Sequence, residues 1–494
     1  MRVLLVYPAP PKEYWPMGAF RSKWVPSGLA SLAGVLLRAG HNVRVLIREE
    51  QLARLRFNWD AAESQMRQII QDHQPEMVAF SVVSPAVAEA ARVAVLVKEM
   101  LGPHVIAVAG GPHPTALPEQ MLIDCPALDA VAVGEGEETI VELAEHGISP
   151  HIAGLLIRRE EAFVATPPRG AVQDLDSLPA MPYHLFDMDY YTSRSRWLIR
   201  WLNLRATNIR TSRGCTNRCR FCAGYLVSGV GVRRRSIESV LEQVEFVVGR
   251  FGVEAVHFED DTLGADPDRL MSLCDGLGRR GLNKRIVWDC CLRVDQAERG
   301  LLREMKKAGC IQVEYGFESG SDQSLARLGK GAGSELNRRA AAITHEEGLR
   351  VFADIMVGLP GETRRDFQAT IDFLRHARPE VISASKLCPL PGTAIFNSLS
   401  PELRSRINWG GYSYLDQPAF DINLSAMSDR QFARLYRHFQ RYFVRPATLW
   451  SLLQDTPAED KQKRRALRRD LQRFILRHPI RALRVPWRRS IKND

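Results

Sequence analysis

Along this 494-residue chain, short apolar runs alternate with longer stretches of helical periodicity. That alternation is the pattern of parallel strands joined by helices. In residues 1–150 the runs at 3–6, 43–47, 77–83, 105–109 and 130–133 predict five strands. Between the first two, a helix opens near Ser27 and stops at Gly40, its apolar face formed by Leu29, Leu32, Ala33, Leu36 and Leu37. Five strands with intervening helices make a doubly wound, flavodoxin-like α/β unit, which takes ligands at the carboxyl ends of its strands.

A second alternation begins near residue 204. Strands are predicted at 205–211, 255–259, 286–291, 311–317, 352–357 and 382–387, with the clearest helices at 236–250 and 363–376. Six such units predict a partial (β/α)6 barrel over 204–400, whose chemistry gathers at the strands' carboxyl ends. Residues 151–203 read as a connector. It holds a hairpin (155–157 and 162–165), repeated prolines that demand extended chain, and Trp197 and Trp201 as an interface cover. Residues 401–494 read as a mostly helical segment. Ser428 and Gln431 make a capping box for a helix bearing Phe432, Leu435, Tyr436, Phe439 and Phe443. Such an aromatic stripe reads first as packing.

Composition narrows the class. Hydrophobic content of 45% and charged content of 25% describe soluble globular protein. No run approaches the ~20 apolar residues of a membrane span, and the N-terminus lacks a signal-peptide pattern. Nine Cys in such a chain read as free thiols and metal ligands in a reducing cytoplasm. Of these, Cys125, Cys274, Cys290, Cys291, Cys310 and Cys388 read as small buried hydrophobes. The net charge of +10 is local: residues 461–494 hold thirteen Lys/Arg against two Asp/Glu, so the remainder is near −1. Leu467, Leu471, Phe474, Ile475, Ile480, Leu483, Val485 and Trp487 punctuate that tail. The pattern suits the anionic inner face of a membrane, a solvated helix or a nucleic-acid arm.

The chemistry centres on Thr211-Ser-Arg-Gly-Cys-Thr-Asn-Arg-Cys-Arg-Phe-Cys222, which sets Cys215, Cys219 and Cys222 in a C-x3-C-x2-C spacing after a strand. Closely spaced thiolates select soft metals. Structural zinc wants four closed ligands, and no fourth Cys or His lies nearby. A [4Fe–4S] cluster with three protein ligands leaves one iron open. The spacing, with Phe221 before the last cysteine, resembles the radical SAM superfamily, in which the open iron chelates S-adenosylmethionine.

Loops at the ends of the first sheet extend the resemblance. Val25-Pro-Ser-Gly-Leu-Ala-Ser-Leu-Ala, Gly110-Gly-Pro-His-Pro-Thr and Gly134-Glu-Gly-Glu-Glu look like the cobalamin-binding domain of cobalamin-dependent radical SAM enzymes. The likeness runs from residue 1 to about 400. It implies cobalamin contacts from Ser81, Val83, Gly110, Gly111, Pro112, His113, Gly134, Glu135 and Gly136. It implies adenosylmethionine contacts from Phe221, Glu259, Asp260, Arg293, Glu318, Ser319, Gly358, Pro360 and Gly361. One departure matters: no Asp-x-His-x-x-Gly string occurs. His113 therefore reads as a group bonding its own turn, and the cobalamin as base-off without a protein His below cobalt.

The resemblance implies that a 5′-deoxyadenosyl radical removes hydrogen from an unactivated carbon and methylcobalamin supplies a methyl group. The substrate is a small molecule or lipid, and an electron donor such as flavodoxin or ferredoxin is implied. Three alternatives stand beside methyl transfer. Relatives perform cyclisation or rearrangement with the same cofactors; the first sheet can be a scaffold that has lost cobalamin; or the chain is a metal-stabilised, non-catalytic nucleic-acid binder. The last fits poorly, since the basic residues lie remote from the cysteine loop. No residue stands out as general acid or base.

Overall fold

The computed structural model describes residues 1–14, 23–160, 162–412, 422–440 and isolated positions between 464 and 472. The first sheet contains β1 (Arg2–Tyr7), β2 (Asn42–Ile47), β3 (Met77–Ser81), β4 (Ile106–Gly110), β5 (Ala130–Ala132), β6 (Leu155–Arg159) and β7 (Ala162–Ala165). Its order is β2-β1-β3-β4-β5-β6-β7. The first five strands run parallel and the last two antiparallel. The hairpin read from sequence as part of a connector is thus the edge of this sheet. Antiparallel pairing at that edge needs no crossover helix, which is why so short a segment can add two strands.

Both faces of β1 are fully buried, Val3 and Leu5 on one side and Leu4 and Val6 on the other. Helices from the chain's own crossovers cover each face. Helix Ser27–Arg38 buries Leu29, Ala33 and Leu36, and helix Val87–Leu101 buries Ala90, Val93 and Val97. Each fully buried Leu or Val adds roughly 1.5–3 kcal/mol of transfer free energy.

The second sheet contains β8 (Ala206–Ile209), then β11 (Ala255–Phe258), β12 (Val287–Leu292), β13 (Cys310–Glu318), β14 (Arg350–Val357) and β15 (Val381–Lys386). Between the first two lies a separate two-stranded ribbon, β9 (Ser212–Arg213) with β10 (Arg233–Arg234). The six strands are all parallel and adjacent in chain order, as a partial barrel requires. Their outer face is apolar, with Trp288, Val313, Tyr315 and Val351 wholly buried under the helices.

Ser195 pairs with Leu204 to close a loop carrying Leu198 and Ile199, which packs on Ala206 and Ala255 at the amino ends of β8 and β11. Trp197 and Trp201 meet edge-on at 5.6 Å within it. The capping box at Ser428 forms as read, and helix Asp429–Phe439 buries Phe432, Tyr436 and Phe439. Phe432 lies over the turn at Gly358, and Phe439 meets Phe367 edge-on at 5.7 Å. The aromatic stripe is packing. Phe443 and nearly all of the basic tail 461–494 lie outside the described residues.

Candidate active site

The cysteine loop leaves the carboxyl end of β8 and is fixed before it turns. Asp260, 3% exposed, accepts from the Thr211 and Ser212 amides at 2.7 and 2.9 Å and from the Thr211 hydroxyl at 2.5 Å. Gly214 follows at φ +94°, where a Cβ would come within 2.2 Å of the Gly231 carbonyl oxygen. Only glycine lets the ribbon close that tightly. Cys215 then bridges to Val230, and the Cys222 sulfur accepts the Gly224 N–H at 3.4 Å.

Burial raises the Cys219 thiol above its ordinary range and Cys222 to about 11. Without a cation these thiolates are costly; iron ligation offsets that cost. Among the described residues no three His, Cys, Asp or Glu side chains converge as on a single ion. The three thiols instead share one loop, an arrangement able to ligate three different irons of a cluster.

Above the thiols the barrel rim supplies charge. Lys330 is 6% exposed and donates to Glu318 at 2.6 Å and to the Gly316 carbonyl. Glu318 holds φ +63° at a register shift in β13, a backbone strain for a side chain. Burial raises its carboxyl, with Lys330 opposing. Arg293 donates to Asp295 at 2.9 Å and to the Lys330 carbonyl at 3.1 Å. The Cys219 and Cys215 sulfurs lie within its field. Phe221 meets Leu328, Leu359, Leu387 and Ile395, beside the Gly358–Gly361 turn. Beneath that turn the Glu362 carboxylate, raised by burial to about 7, accepts the Gly358 N–H at 2.7 Å.

Two sequence candidates also hold the backbone. The Asp260 carboxylate accepts three hydrogen bonds from the start of the loop, so it positions the cysteines. Ser319 is wholly buried, bonding Thr370 at 3.0 Å and the Ser321 amide at 3.1 Å, so it holds the turn after β13. Both residues sit at strand ends, where pattern alone cannot separate a side chain facing the rim from one turned into the protein. Lys330 was missed; its flanking glycines, both at positive φ, were the available signal.

A cavity of about 790 Å³ opens at the carboxyl ends of the first sheet. Tyr7, Ser81, Val83, Gly110, Gly111, Pro112, Gly134, Glu135 and Gly136 all line it, as do Ser27 and Gly28. The region between β1 and β3 is the sheet's switch point, where such sheets bind ligands. A Cβ at Gly111 would meet the Val82 amide nitrogen at 3.0 Å, and one at Gly136 would meet Leu32 at 3.3 Å. The glycines keep the cradle open.

Leu175, Leu178 and Met181 also face this space, so the segment read as a connector supplies part of the wall. The opposite wall comes from the barrel: Arg210, Ser212, Arg213, Val227, Ser228 and Glu259. Glu259 itself bonds Asn208 at 2.7 Å and Arg210 at 2.9 Å. His113 is not among the lining residues. Its Nδ1 contacts the Ser84 hydroxyl at 3.0 Å, and its ring meets Trp409 edge-on at 4.8 Å.

The two walls are locked together. Arg213, next to the cysteine loop, pairs with Glu135 at 3.2 Å and Glu137 at 2.6 Å, while Arg233 pairs with Glu135 at 2.7 Å. Burial opposes ionisation of Glu135, but Arg233, Arg213 and the Val172 N–H together hold its carboxyl below the ordinary value. Val25 and Asn208 exchange two hydrogen bonds, at 2.9 and 3.0 Å.

A parallel switch-point sheet with a glycine-lined cavity, facing a three-cysteine loop on a partial barrel, defines an enzyme with two cofactor sites. Residues 17–144 match the B12 binding domain and residues 209–374 the radical SAM superfamily, together more than half of the chain. The chain belongs to the cobalamin-binding radical SAM enzymes, whose cofactors are a [4Fe–4S] cluster, S-adenosylmethionine and cobalamin. It is 29% identical over 455 residues to an uncharacterized methyltransferase of Pyrococcus horikoshii, covering 91% of this chain and 94% of that one. It is 25% identical to the anaerobic magnesium-protoporphyrin IX monomethyl ester cyclase of Rubrivivax gelatinosus, covering 96% and 82%. Its fold matches the radical S-adenosylmethionine methyltransferase TsrM from Kitasatospora setae, solved with cobalamin and a [4Fe–4S] cluster. The TM-score is 0.67 at 17% identity, over 97% of this chain and 99% of that one.

Proposed function

We propose that this enzyme methylates an unactivated carbon of a small molecule or lipid. One observation carries the reading: the cavity of the first sheet is walled on its far side by Ser212 and Arg213, which lead directly into the cysteine loop, so the two sites adjoin. When bound, the cluster with adenosylmethionine supplies a hydrogen-abstracting radical and the corrinoid supplies a methyl group. The chain's own residues set the geometry. Cys215, Cys219 and Cys222 hold the cluster. Phe221, Arg293, Glu318 and the Gly358–Gly361 turn, with Pro360, flank the position of adenosylmethionine. The pairs Arg213–Glu137 and Arg233–Glu135 fix the distance between the two sheets. The His113 ring is turned to Ser84 and Trp409 and away from the cavity, so a corrinoid held there would be bound without this imidazole as a ligand.

Product stoichiometry tests methyl transfer. 5′-Deoxyadenosine, S-adenosylhomocysteine and methylated product should accumulate in near equal amounts over several turnovers. The similarity to a cyclase over 96% of the chain supports a second reading, ring formation. In that case product and 5′-deoxyadenosine rise without matching S-adenosylhomocysteine. The cobalt assignment has its own test: cob(II)alamin in the protein should show an EPR spectrum without nitrogen splitting, unchanged in His113→Ala.

Supply of electrons by a flavodoxin or ferredoxin belongs to this reading, as does a reducing cytoplasm, supported by nine cysteines recorded as free. No helix among the described residues is long and apolar enough to cross a membrane. Contact of 461–494 with an anionic membrane rests on its charge, and salt-sensitive binding to anionic liposomes, lost on its deletion, is the measurement that checks it.

A further inference from the structure

The inner face of the barrel carries polar groups beyond those assigned above to the cofactors. Nearest the floor, β8, β11, β12 and β13 place Asn208, His257, Asp289 and Gln312 side by side in register. This layer is nearly self-satisfied: His257 Nδ1 meets Asp289 at 2.9 Å, and the Gln312 amide donates to Asp289 at 3.0 Å. The Gln312 carbonyl oxygen has no partner, although the residue is wholly buried.

One layer up, towards the cysteine loop, the face is covered less completely. Glu314 pairs in register with Cys291, and Asp354 with Ser383. All four are only half-buried, in contrast to the wholly buried outer face. Glu314 and Asp354 are diagonal neighbours on the same face of adjacent strands, close enough for each carboxyl to act on the other, and Ser383 stands beside Asp354. Among the described residues no Lys or Arg forms an ion pair with either. Arg200, whose field reaches both, is instead stacked over Trp197 and Phe352, at 5.3 and 5.9 Å from the ring centres.

We propose that Glu314 and Asp354, roofing the orphaned Gln312 carbonyl, form the substrate-anchoring subsite of this barrel, and that it takes a cationic amine or guanidine. The inference rests on the methyl-transfer reading only in placing the substrate inside the barrel. Two adjoining carboxyls cannot both stay ionised cheaply in a desolvated layer, so they share a proton. Burial is the main force raising both, and their mutual charge adds to it for Asp354. Of the other titratable groups acting on them, Cys291, Asp289 and Glu318 bring no positive charge, and the positive charge of Arg200 opposes the rise without pairing with either. A ligand cation with several N–H donors displaces the shared proton and satisfies both acceptors, and the unpaired Gln312 oxygen offers a further one. An apolar chain would leave the Gln312 oxygen unpaired and cover two carboxyls with no cation to offset their burial.

The test uses holoenzyme, reconstituted anaerobically with cluster and cobalamin, titrated with agmatine by calorimetry in two buffers of different ionisation enthalpy. Agmatine should bind with release of a proton, and 1-pentanol should not bind. Glu314→Gln and Asp354→Asn should each weaken agmatine by about tenfold or more, at unchanged iron and corrinoid content. Glu314→Asp should recover part of the affinity. Failure of agmatine to bind at millimolar concentration, binding of 1-pentanol equal to agmatine, or unchanged affinity in both charge-removing variants overturns the subsite. None of these readouts involves turnover, so the subsite can fail while the product stoichiometry stands, and the reverse.

Discussion

The two parallel sheets of this protein are built from the same unit and differ in where they keep their polar groups. In the first, both faces of the central strands are apolar because helices cover both, and chemistry is confined to the glycine-rich carboxyl edge. In the second, curling frees one face from any helix. That face carries Asn208, His257, Asp289, Gln312, Glu314 and Asp354, while its reverse is as apolar as the first sheet. A flat doubly wound sheet therefore works as a shelf with a ligand at its rim. A curled one works as a cup with a wall of its own, and polar residues survive inside because the cup is not packed shut.

The sharpest way to break this comparison is to remove one sheet's cofactor and ask about the other. Replacing Cys215, Cys219 and Cys222 together by Ala should abolish bound iron and reduce 5′-deoxyadenosine to background, while cobalamin content, read by absorbance, is retained. Loss of both cofactors would show that the shelf depends on the cup. The seam itself comes next. Arg213→Met leaves the buried Glu137 without a cation and Glu135 with Arg233 alone as its cation, and breaking a buried pair of this kind costs about 3–5 kcal/mol. Urea denaturation should show it, and the rim of the shelf should lose cobalamin affinity as the walls separate.

A pH scan distinguishes the two sheets further. His113 belongs to the shelf and is buried neutral; burial pushes its imidazole down from the ordinary 6.5 to about 4. Below pH 6.5 the unfolded chain takes up a proton that the folded chain refuses, so stability falls as pH drops from 6.5 towards 4. At ~1.4 kcal/mol per pH unit the loss reaches about 3 kcal/mol. His113→Gln should flatten that limb of the urea midpoint against pH. The smallest effect is expected at Gly111, whose backbone at φ 100° and ψ −171° suits glycine alone. Gly111→Ala should cost roughly 1–3 kcal/mol and weaken cobalamin binding without changing iron content.

The alternation of apolar runs and helical periodicity was enough to place all five parallel strands of the shelf and all six of the cup within a few residues. Each run is bounded by turn residues and long enough to span a core. Cys215, Cys219 and Cys222 were legible because ligand chemistry demands a local spacing, and the cavity loops because glycines cluster at strand ends. The hairpin from Leu155 to Ala165 was legible as strands but not as part of the first sheet, since an antiparallel edge leaves no periodic mark of its partner. The backbone-holding roles of Asp260 and Ser319 were not legible, because a strand end gives no sign of which way its last side chain points.

Local sequence therefore determined the elements, their order and the metal-binding loop, all of which depend on residues near one another in the chain. Only the tertiary structure decided that Arg213 pairs with Glu135 and Glu137 and that Lys330 meets Glu318. Only there does Glu314 come to face Asp354. These contacts join groups from twelve to nearly eighty residues apart, and which group a side chain meets depends on strand register and on the curl of the sheet.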